Sequence, residues 1–485
     1  MINGNSPSEE RAVQIRGKRS IAALGSALVA GTLMATTSVT LAADSGAPPP
    51  PVADQSLTWH GITLYGIIDI GLQYENHGAP ISDYFPAGAN DVVQKNSLRS
   101  VFGATPSNMS QSRIGLSGKE PLGVGDWSAV FRAETYFNPQ SGDLSDGLKA
   151  LTQQNGKALS AQTTGIDTSV AGIPFEQSYA GVSSPTFGTL TFGRQNTLLA
   201  DAIAKYDPQG ASQAFSLIGL SGVTAGGGDT QDRRLDSSLK YVANFSGVHV
   251  GAQYKFNGAN GGSANTAMEF QLGGEYAGLS ADAYYVKTYS AISVGSLSAA
   301  QVAGLPALGY SSNNSLAGTI SDNTTYAIDG MYDFGAVKLF AAYEHIQYAN
   351  PRTPLAAGFN DIGGYVLAFV NTQVGPTSTY ANDKILQVYW GGVKYTVASK
   401  LDLVASYYGY HQNSFATGAN AGCSTNKAGN CSGIETAIGV SADYRWTKRF
   451  DTYAGLMYTG VKDGLANGFA NTSSTDPTIG VRFKF

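Results

Sequence analysis

The last eight residues of the chain, Thr478-Ile479-Gly480-Val481-Arg482-Phe483-Lys484-Phe485, combine strict alternation with an aromatic end. Their four apolar side chains occupy the odd-numbered positions, and both cations occupy even-numbered positions. Side chains two residues apart in a strand share a face, so this segment predicts a strand with one apolar and one cationic face. A strand that continues to the terminal residue needs hydrogen-bonding partners on both sides, which a closed barrel provides.

The amino-terminal part has the pattern of an export signal followed by a spacer. A basic region over 11–19 precedes an apolar, Ala- and Gly-rich stretch over 21–41, and two alanines follow. This order predicts a signal peptide over 1–42 that is cleaved after Ala42. A membrane-spanning anchor helix is the alternative, because the apolar stretch is long enough to cross a bilayer. The segment 43–56, which contains four consecutive prolines, predicts an extended, unstructured spacer.

The composition favours a large antiparallel sheet with many turns. The 485 residues include 60 Gly and 27 Tyr, and only 13% of the residues are charged. Gly is favoured in turns and aromatic residues are favoured in strands. The mean hydropathy of −0.10 is that of a water-soluble protein, but lipid-facing and lumen-facing residues cancel in a membrane barrel as well. The mild net charge of −5 gives no indication of a nucleic-acid partner.

Alternating segments of about ten residues recur along the chain, and this is the length that a tilted strand needs to cross a membrane. Sixteen strands are predicted: 59–75, 111–120, 126–137, 176–183, 187–196, 233–244, 247–257, 268–278, 279–289, 324–334, 336–348, 384–397, 400–413, 434–446, 450–460 and 476–485. The gaps alternate between long and short, beginning with the long gap 76–110 and the short gap 121–125. This rhythm predicts a 16-stranded antiparallel transmembrane β-barrel with long extracellular loops, short periplasmic turns and both termini in the periplasm.

Water-soluble folds with many short strands are the competing interpretation. Neither a β-sandwich nor a propeller predicts strictly alternating gap lengths, and a propeller also requires a blade repeat, which is not seen here. The alternating faces of segments such as 247–257 and 434–446 suit a soluble barrel as well as a membrane barrel. The predicted signal peptide and the tyrosines near strand ends favour lipid outside and water inside, because aromatic girdles mark membrane interfaces.

Four stretches of the chain carry a resemblance to a known family. They are Leu64–Asp69, Gln111–Gly123, Phe187–Gln195 and Gly480–Phe485. They resemble, in this order, the first strand, the second strand with the first turn, the fifth strand and the closing strand of Gram-negative trimeric general porins of the β-proteobacterial subfamily. The resemblance covers 57–485. It departs from the family at Glu120-Pro121, where an acidic pair is usual, and in the proline-rich segment.

The resemblance implies a porin domain over 57–485 that lies in the outer membrane as a homotrimer, in contact with membrane lipid. It implies a water-filled channel for passive diffusion of ions and small hydrophilic solutes, with no catalysis, cofactor or metal. It also implies that Phe485 is an assembly signal for the barrel assembly machinery. An enzyme is one alternative, but the five histidines are scattered and lie in no motif. A specific solute channel and a structural or adhesive barrel with a plugged lumen are further alternatives.

In such porins the loop after the fifth strand folds into the barrel and narrows it, which assigns this role to 197–232. The apolar residues of this loop, including Phe215, would pack on the inner wall or on a neighbouring subunit. Six charged residues are candidates for the pore constriction, four on the wall and two on the loop: Arg113, Arg132, Arg234, Lys240, Asp201 and Asp207. The alternative for each of them is a solvated charge in the lumen that has no role in selectivity. Arg194 shares the parity of an apolar face, which a bulge or a position beyond the membrane would explain.

The chain has two cysteines, Cys423 and Cys431, within one polar stretch. In an exported protein this spacing predicts a disulfide that closes a loop. Two free thiols or a metal site are the alternatives, although two cysteines without a nearby histidine make a poor zinc site.

Overall fold

The computed structural model describes the chain from residue 57 onward, with gaps in the long loops. The described residues are 57–78, 93, 97–140, 142, 175–221, 234–256, 266–296, 303–308, 316–352, 358–362, 365–369, 380 and 382–485. The predicted signal peptide, the predicted spacer and the end of the loop 197–232 lie outside them. Within these residues, no helix has both the length and the apolar character needed to cross a membrane.

Sixteen antiparallel strands form the sheet, and each pairs with its neighbour in the sequence. They are β1 Ile62–Gly78, β2 in two segments Arg99–Pro106 and Arg113–Pro121, β3 Ser128–Tyr136, β4 Gln177–Ser184, β5 Gly188–Asn196, β6 Arg234–Phe245, β7 Val248–Lys255, β8 Ala267–Tyr276, β9 Leu279–Ser296, β10 Leu316–Asp333, β11 Val337–Ala349, β12 Lys384–Val397, β13 Leu401–Gln412, β14 Gly433–Arg445, β15 Phe450–Asp463 and β16 Ser473–Lys484. β16 pairs with β1 as well as with β15, so the sheet closes into a barrel.

A few shorter elements accompany the barrel. Thr58–Trp59 pairs with the start of β1, and Gly358–Ile362 pairs with Tyr365–Phe369 in a loop. Two helices, α1 Leu198–Tyr206 and α2 Leu217–Ser221, follow β5. Short 3-10 turns occur at Leu305–Leu308, Gly418–Asn420 and Gly464–Ala466.

The sixteen predicted strands are confirmed, and one segment was missed. Arg99–Pro106 pairs with the C-terminal part of β1, from Ile70 to Gly78, while Arg113–Pro121 pairs with the N-terminal part of β1. The second strand is therefore interrupted at 107–112 rather than beginning at 111. Its first segment, Arg99–Pro106, contains a glycine and ends on a proline, and both residues weaken a strand pattern in the sequence.

The barrel is apolar outside and polar inside. On β16, Ile479, Val481 and Phe483 have exposed fractions of 40–59%, whereas Thr478 and Arg482 are at most 9% exposed. A water-soluble barrel would bury the apolar set instead. The predicted outward direction of the apolar face of this strand is therefore confirmed.

The two ends of the barrel differ in the length of their connections, as predicted. At one end the turns are as short as Ser246-Gly247 and Ala277-Gly278, in which both residues have positive φ. This is the type I′ geometry that matches the twist of a tight hairpin. The longer loops are at the other end, and the described part of the loop after β5 enters the barrel.

Candidate functional site: the narrowed lumen

The loop after β5 begins as a well-defined helix. Thr197 caps α1, and its Oγ1 accepts a hydrogen bond of 3.0 Å from the N–H of Ala200. Asp201 lies in the first turn and Lys205 in the last, where their charges complement the helix dipole. The helix ends at Tyr206, before Asp207 and a proline, in agreement with the prediction from the sequence.

The apolar side of this loop packs on the inner wall. Leu198, Leu199 and Tyr206 form a buried cluster with Tyr284 and Val286 of β9. A second cluster joins the loop to strands β11 to β15; its loop members are Ile203, Leu217 and Ile218. The first of the two predicted locations for these apolar residues, the inner wall, is therefore the one observed.

Phe215 fits against the wall because two glycines leave room for it. A Cβ on Gly439 of β14 would lie 2.1 Å from the Phe215 backbone oxygen. A Cβ on Gly455 of β15 would lie 2.6 Å from Cε1 of the Phe215 ring. Side chains do not approach this closely, so glycine at both positions permits the loop to lie flat on the sheet.

Polar contacts fix the same segment further along the wall. Tyr408 of β13 donates a 2.6 Å hydrogen bond to Oδ1 of Asp207. Ser441 of β14 donates to Oε1 of Gln209 at 2.7 Å, and Nε2 of Gln209 donates to Ser406 of β13 at 3.1 Å. Burial raises the pKa of the Asp207 carboxyl above its ordinary range, against the hydrogen bonds from Tyr408 and the loop backbone, which lower it.

The loop then reaches the interruption in β2. The N–H of Ala214 and the hydroxyl of Ser212 both donate to the backbone oxygen of Asn108, each at 2.9 Å. The loop thus follows the inner wall from β9 past β15 to β2. In the described part of the chain, the loop leaves charged side chains of β2 and β3 partly exposed to the lumen.

Two arginines stand on this part of the wall. The side chains of Arg113 on β2 and Arg132 on β3 are 32% and 33% exposed. Nε of Arg132 donates to the Tyr65 hydroxyl at 2.7 Å, and that hydroxyl donates to Glu134 at 2.9 Å. Glu134 is 1% exposed and lies within 3.8 Å of both arginines. The buried carboxylate and Tyr65 therefore hold the two guanidinium groups in place at the lumen surface.

Lys240 and Asp201 connect the wall to the loop. Nζ of Lys240 on β6 lies 2.5 Å from Oδ2 of Asp201 on α1. The Asp201 side chain is 51% exposed, whereas that of Lys240 is 9% exposed. Nζ of Lys240 also donates to the backbone oxygen of Asn196 at 2.9 Å. Asp201 thus presents a carboxylate to the lumen at the start of the loop.

Arg234 and Asp207 lie on the predicted wall and loop, but both are buried. Arg234 is 5% exposed, forms a 2.9 Å ion pair with Glu176 and donates to the Tyr136 hydroxyl at 2.5 Å. Asp207 is 2% exposed and faces the wall. Parity correctly placed Arg234 on the inner face, but tertiary contacts cover both groups in the described part of the chain.

Arg194 lies at a bulge in β5, which was one of the two predicted explanations for its parity. The pairing of β5 with β6 shifts register between Gly193 and Gln195. Nε of Arg194 donates to the backbone oxygen of Phe175 at 3.1 Å, and its guanidinium also pairs with Asp236.

Tyr65 and Glu134 are the site residues that the sequence interpretation did not single out. Glu134 is two residues from Arg132 on the same face of β3, so the period of two was an available signal. A second group lies between α1 and the wall. Nζ of Lys205 pairs with Oδ2 of Asp282 on β9 at 3.2 Å, and Nδ1 of His249 lies 2.9 Å from Oδ1 of the same carboxylate. The contacts of this second group could not be derived from the sequence, because they depend on where the loop docks.

The cysteines and the histidines do not form a metal or catalytic cluster in the described residues. Cys423 and Cys431 form a disulfide, as predicted, in the loop between β13 and β14. The five histidines lie on different strands or at the start of the chain described, and no cluster of metal-ligating side chains occurs in the residues that the structure covers.

A closed antiparallel barrel with an apolar exterior, a charged interior and an infolded loop defines the class of transmembrane β-barrels with a narrowed lumen. The family model for Gram-negative porins matches residues 26–464, and the chain belongs to this family. The resemblance noted in the sequence is therefore confirmed, and so is the outer membrane as its location.

Individual relatives agree with this assignment. An outer membrane porin protein of Bordetella pertussis is 29% identical over 289 residues, which cover 58% of this chain and 63% of that protein. The chain thus spans less than two thirds of the length of this relative. The structure of the anion-selective porin from Comamonas acidovorans has a TM-score of 0.56 at 18% identity and covers 87% of this chain and 99% of that chain.

A second solved structure has the same architecture. It is the in-vitro-folded outer membrane protein OmpT of Vibrio cholerae in its trimer form, with a TM-score of 0.52 at 16% identity, covering 87% of this chain and 99% of that chain. At these identities the similarity concerns the fold, and it supports the predicted 16-stranded antiparallel barrel.

Proposed function

We propose that the protein is a diffusion channel of the outer membrane, through which ions and small hydrophilic solutes pass. One observation carries this proposal: where the structure describes the infolded loop, at 197–221, it leaves Arg113 and Arg132 of the inner wall about one third exposed. A plugged structural barrel would cover these cations. Family membership supports the same function.

The mechanism requires only fixed charge and water. Arg113 and Arg132 project from the wall, and Asp201 projects from the loop, so the narrowed lumen carries cations on the wall and a carboxylate on the loop. Such an arrangement sets a transverse field that orients hydrated solutes and biases the sign of the permeating ion. Glu134 and Tyr65 keep the arginines from collapsing onto the wall, which preserves both the aperture and the field.

The remaining assignments belong to the same proposal. The channel works as a homotrimer without catalysis, and its outer wall faces membrane lipid. Residues 1–42 direct export, 43–56 form a spacer, and Phe485 is read by the barrel assembly machinery. The trimer form of the OmpT structure and the membership in the porin family support the oligomeric state.

Conductance with reversal potential in planar bilayers tests the proposal. The folded protein is expected to form stepwise ion-conducting pores, and Arg113→Gln with Arg132→Gln is expected to move the reversal potential towards cation preference. Lys462→Gln, an exposed cation at the extracellular end of β15, is the matched control and should leave the reversal potential unchanged. Folded protein without conductance contradicts the channel, whereas an unaltered reversal potential in the double variant removes the two arginines from the constriction.

A further inference from the structure

His249 lies between two carboxylates on the wall next to α1. Nδ1 of His249 on β7 is 2.9 Å from Oδ1 of Asp282 on β9, and Nε2 is 3.7 Å from Oε2 of Glu275 on β8. A neutral imidazole carries one N–H, whereas an imidazolium carries two. Only the protonated ring therefore directs an N–H towards both carboxylates, so the interactions of this side chain depend on its charge.

Asp282 also holds the end of the infolded helix. Its Oδ2 accepts a hydrogen bond from Nζ of Lys205 at 3.2 Å and another from the hydroxyl of Tyr206. Lys205 and Tyr206 are the last two residues of α1. The side chain of Asp282 is fully buried, whereas that of Lys205 is 37% exposed. One carboxylate thus joins His249 of the wall to a partly exposed cation of the loop.

His249 lines the lumen near its periplasmic end. It borders a cavity of about 480 Å³ together with Lys119 of β2, Thr189 of β5 and Lys205 of α1. His249 is the second residue of β7, and Lys119 lies two residues before the end of β2, so the cavity is close to the short turns. A charge on this ring therefore acts on ions at that end of the lumen.

The net charge of this group of side chains depends on one proton. Glu275 and Asp282 are carboxylates and Lys205 is a cation, so the group is net negative beside a neutral ring and balanced beside a protonated one. Histidine is the side chain that ordinarily changes charge between about pH 5 and 8. The side chain of Glu275 is 54% exposed, so a change in this balance reaches the lumen.

Neighbouring elements add further titratable side chains, which are Tyr284 of β9, Asp329 of β10 and Lys119 of β2. From β6, Asn244 donates to Glu275 at 3.4 Å and carries no charge. Asp329 lies directly opposite Asp282 in the strand register and is 1% exposed. A carboxyl at this position is a second candidate for the titrating group, so it needs a variant of its own.

We propose that His249 is a specificity-determining residue of the channel, and that its protonation moves the ion preference towards anions. This inference rests on the proposed channel function. Protonation adds one positive charge to the lumen surface beside Lys205. It also weakens the attraction between Lys205 and Asp282, because the carboxylate then faces two cations. Both effects favour anions over cations near the periplasmic end of the lumen.

Reversal potentials in planar bilayers test this role of His249. The folded full chain is measured under a potassium chloride gradient at about pH 8 and at about pH 5. We expect the chloride-to-potassium permeability ratio of the parent to rise roughly twofold or more on acidification. His249→Gln should lose this rise, because glutamine can donate to Asp282 but cannot gain a charge. His249→Lys should keep the higher ratio at both pH values, because its charge is permanent.

Two matched variants separate His249 from other titratable groups. His411→Gln removes a histidine from β13 at a position that shares the outer face with Tyr407, and it should keep the rise. Asp329→Asn preserves the shape of the side chain and removes its titration, and it should also keep the rise. Stepwise conductance shows that each variant is folded.

The outcomes distinguish this inference from the channel function itself. A rise that persists in His249→Gln, or that is lost only in Asp329→Asn, assigns the proton to another group and overturns the proposal. A permeability ratio that does not change with pH in a conducting parent also overturns it, while the channel function stands. Folded protein without conductance contradicts the channel and this proposal together.

Discussion

The hydroxyl of Tyr408 donates a 2.6 Å hydrogen bond to the buried carboxyl of Asp207, 201 residues away in the sequence. This contact joins the infolded loop to β13 of the wall. Tyr408→Phe leaves the buried carboxyl without that donor, which costs about 1–3 kcal/mol of loop docking. We expect larger fluctuations of the open-channel current and faster trypsin cleavage after Lys205 on the loop. Tyr407→Phe, at a neighbouring position that is 42% exposed on the outer face, is the control and should behave like the parent.

The same carboxyl predicts a dependence of loop docking on pH. Burial raises the pKa of Asp207 in the docked loop, so the docked state holds its proton at a higher pH than an undocked, solvated loop does. Docking is therefore strongest below the ordinary carboxyl range and weakens as the pH rises towards the raised pKa, after which it stays constant. Current noise recorded as the pH is raised from acid to neutral should increase in this window. Asp207→Asn cannot ionise, and noise that rises equally in this variant contradicts the assignment.

The arginines of the site show how much of it could be predicted from the sequence. Period-two parity placed Arg113, Arg132 and Arg234 on the inner face, and the structure agrees for all three. Parity does not reveal depth, however. Arg234 is covered because Glu176 and Tyr136 converge on it from other parts of the chain. Such partners depend on the closed barrel and are invisible to a one-dimensional pattern.

The infolded loop after β5 also shows that tertiary contacts could not be predicted from the local sequence pattern. Its apolar residues indicated that it would pack on something, and its helix was predicted together with the proline that follows it. The surface that it packs on was not predictable, because the space for Phe215 depends on Gly439 and Gly455, more than 200 residues later. Strand count and loop rhythm depend on local pattern and gap length, which is why they were recovered from the sequence.

The buried ion pair of Arg234 predicts an effect on stability without an effect on selectivity. Arg234 and Glu176 are 5% and 1% exposed. Arg234→Met removes one partner and leaves the carboxylate covered, which should cost about 3–5 kcal/mol. The midpoint of urea unfolding measures this loss, and adding Glu176→Gln should recover part of it. Arg113→Met, whose parent side chain is 32% exposed, should change stability less. A shifted reversal potential in Arg234→Met would return Arg234 to the constriction.

The disulfide predicts a local effect in the loop between β13 and β14. Cys423 and Cys431 are 8 residues apart and close a loop that contains the exposed Lys427. A loop of this length is stabilised by about 2–3 kcal/mol in the chain-entropy account. Reduction should therefore speed trypsin cleavage after Lys427 by as much as roughly 50-fold. Cleavage after Lys448, in a periplasmic turn, is the internal control. Conductance should be unchanged, and a change in it would connect this loop to the channel.

Phe485 pairs with Gly66 where the barrel closes, so its packing can be tested separately from its proposed recognition by the assembly machinery. Its N–H donates to the backbone oxygen of Gly66, and its own oxygen accepts from the N–H of Gly66, each at 3.0 Å. Its ring covers Gly66 so closely that a Cβ there would lie 2.3 Å from the ring Cζ. Aromatic cover of a strand glycine is a known means of stabilising a sheet. Phe485 therefore has a structural role in β-barrel closure in addition to its proposed role in assembly.

Deletion of Phe485 and the variant Gly66→Ala distinguish these two roles. If the terminal aromatic is read by the assembly machinery, its deletion should lower the amount of outer-membrane protein at least tenfold while secretion continues. Gly66→Ala keeps the terminal residue but disturbs its seat, so it should assemble and lose about 1–3 kcal/mol of stability. Membrane fractionation with urea extraction measures assembly, and heat-modified gel migration measures stability. Equal loss of assembly in both variants would mean that barrel closure on Gly66, rather than recognition of Phe485, limits insertion.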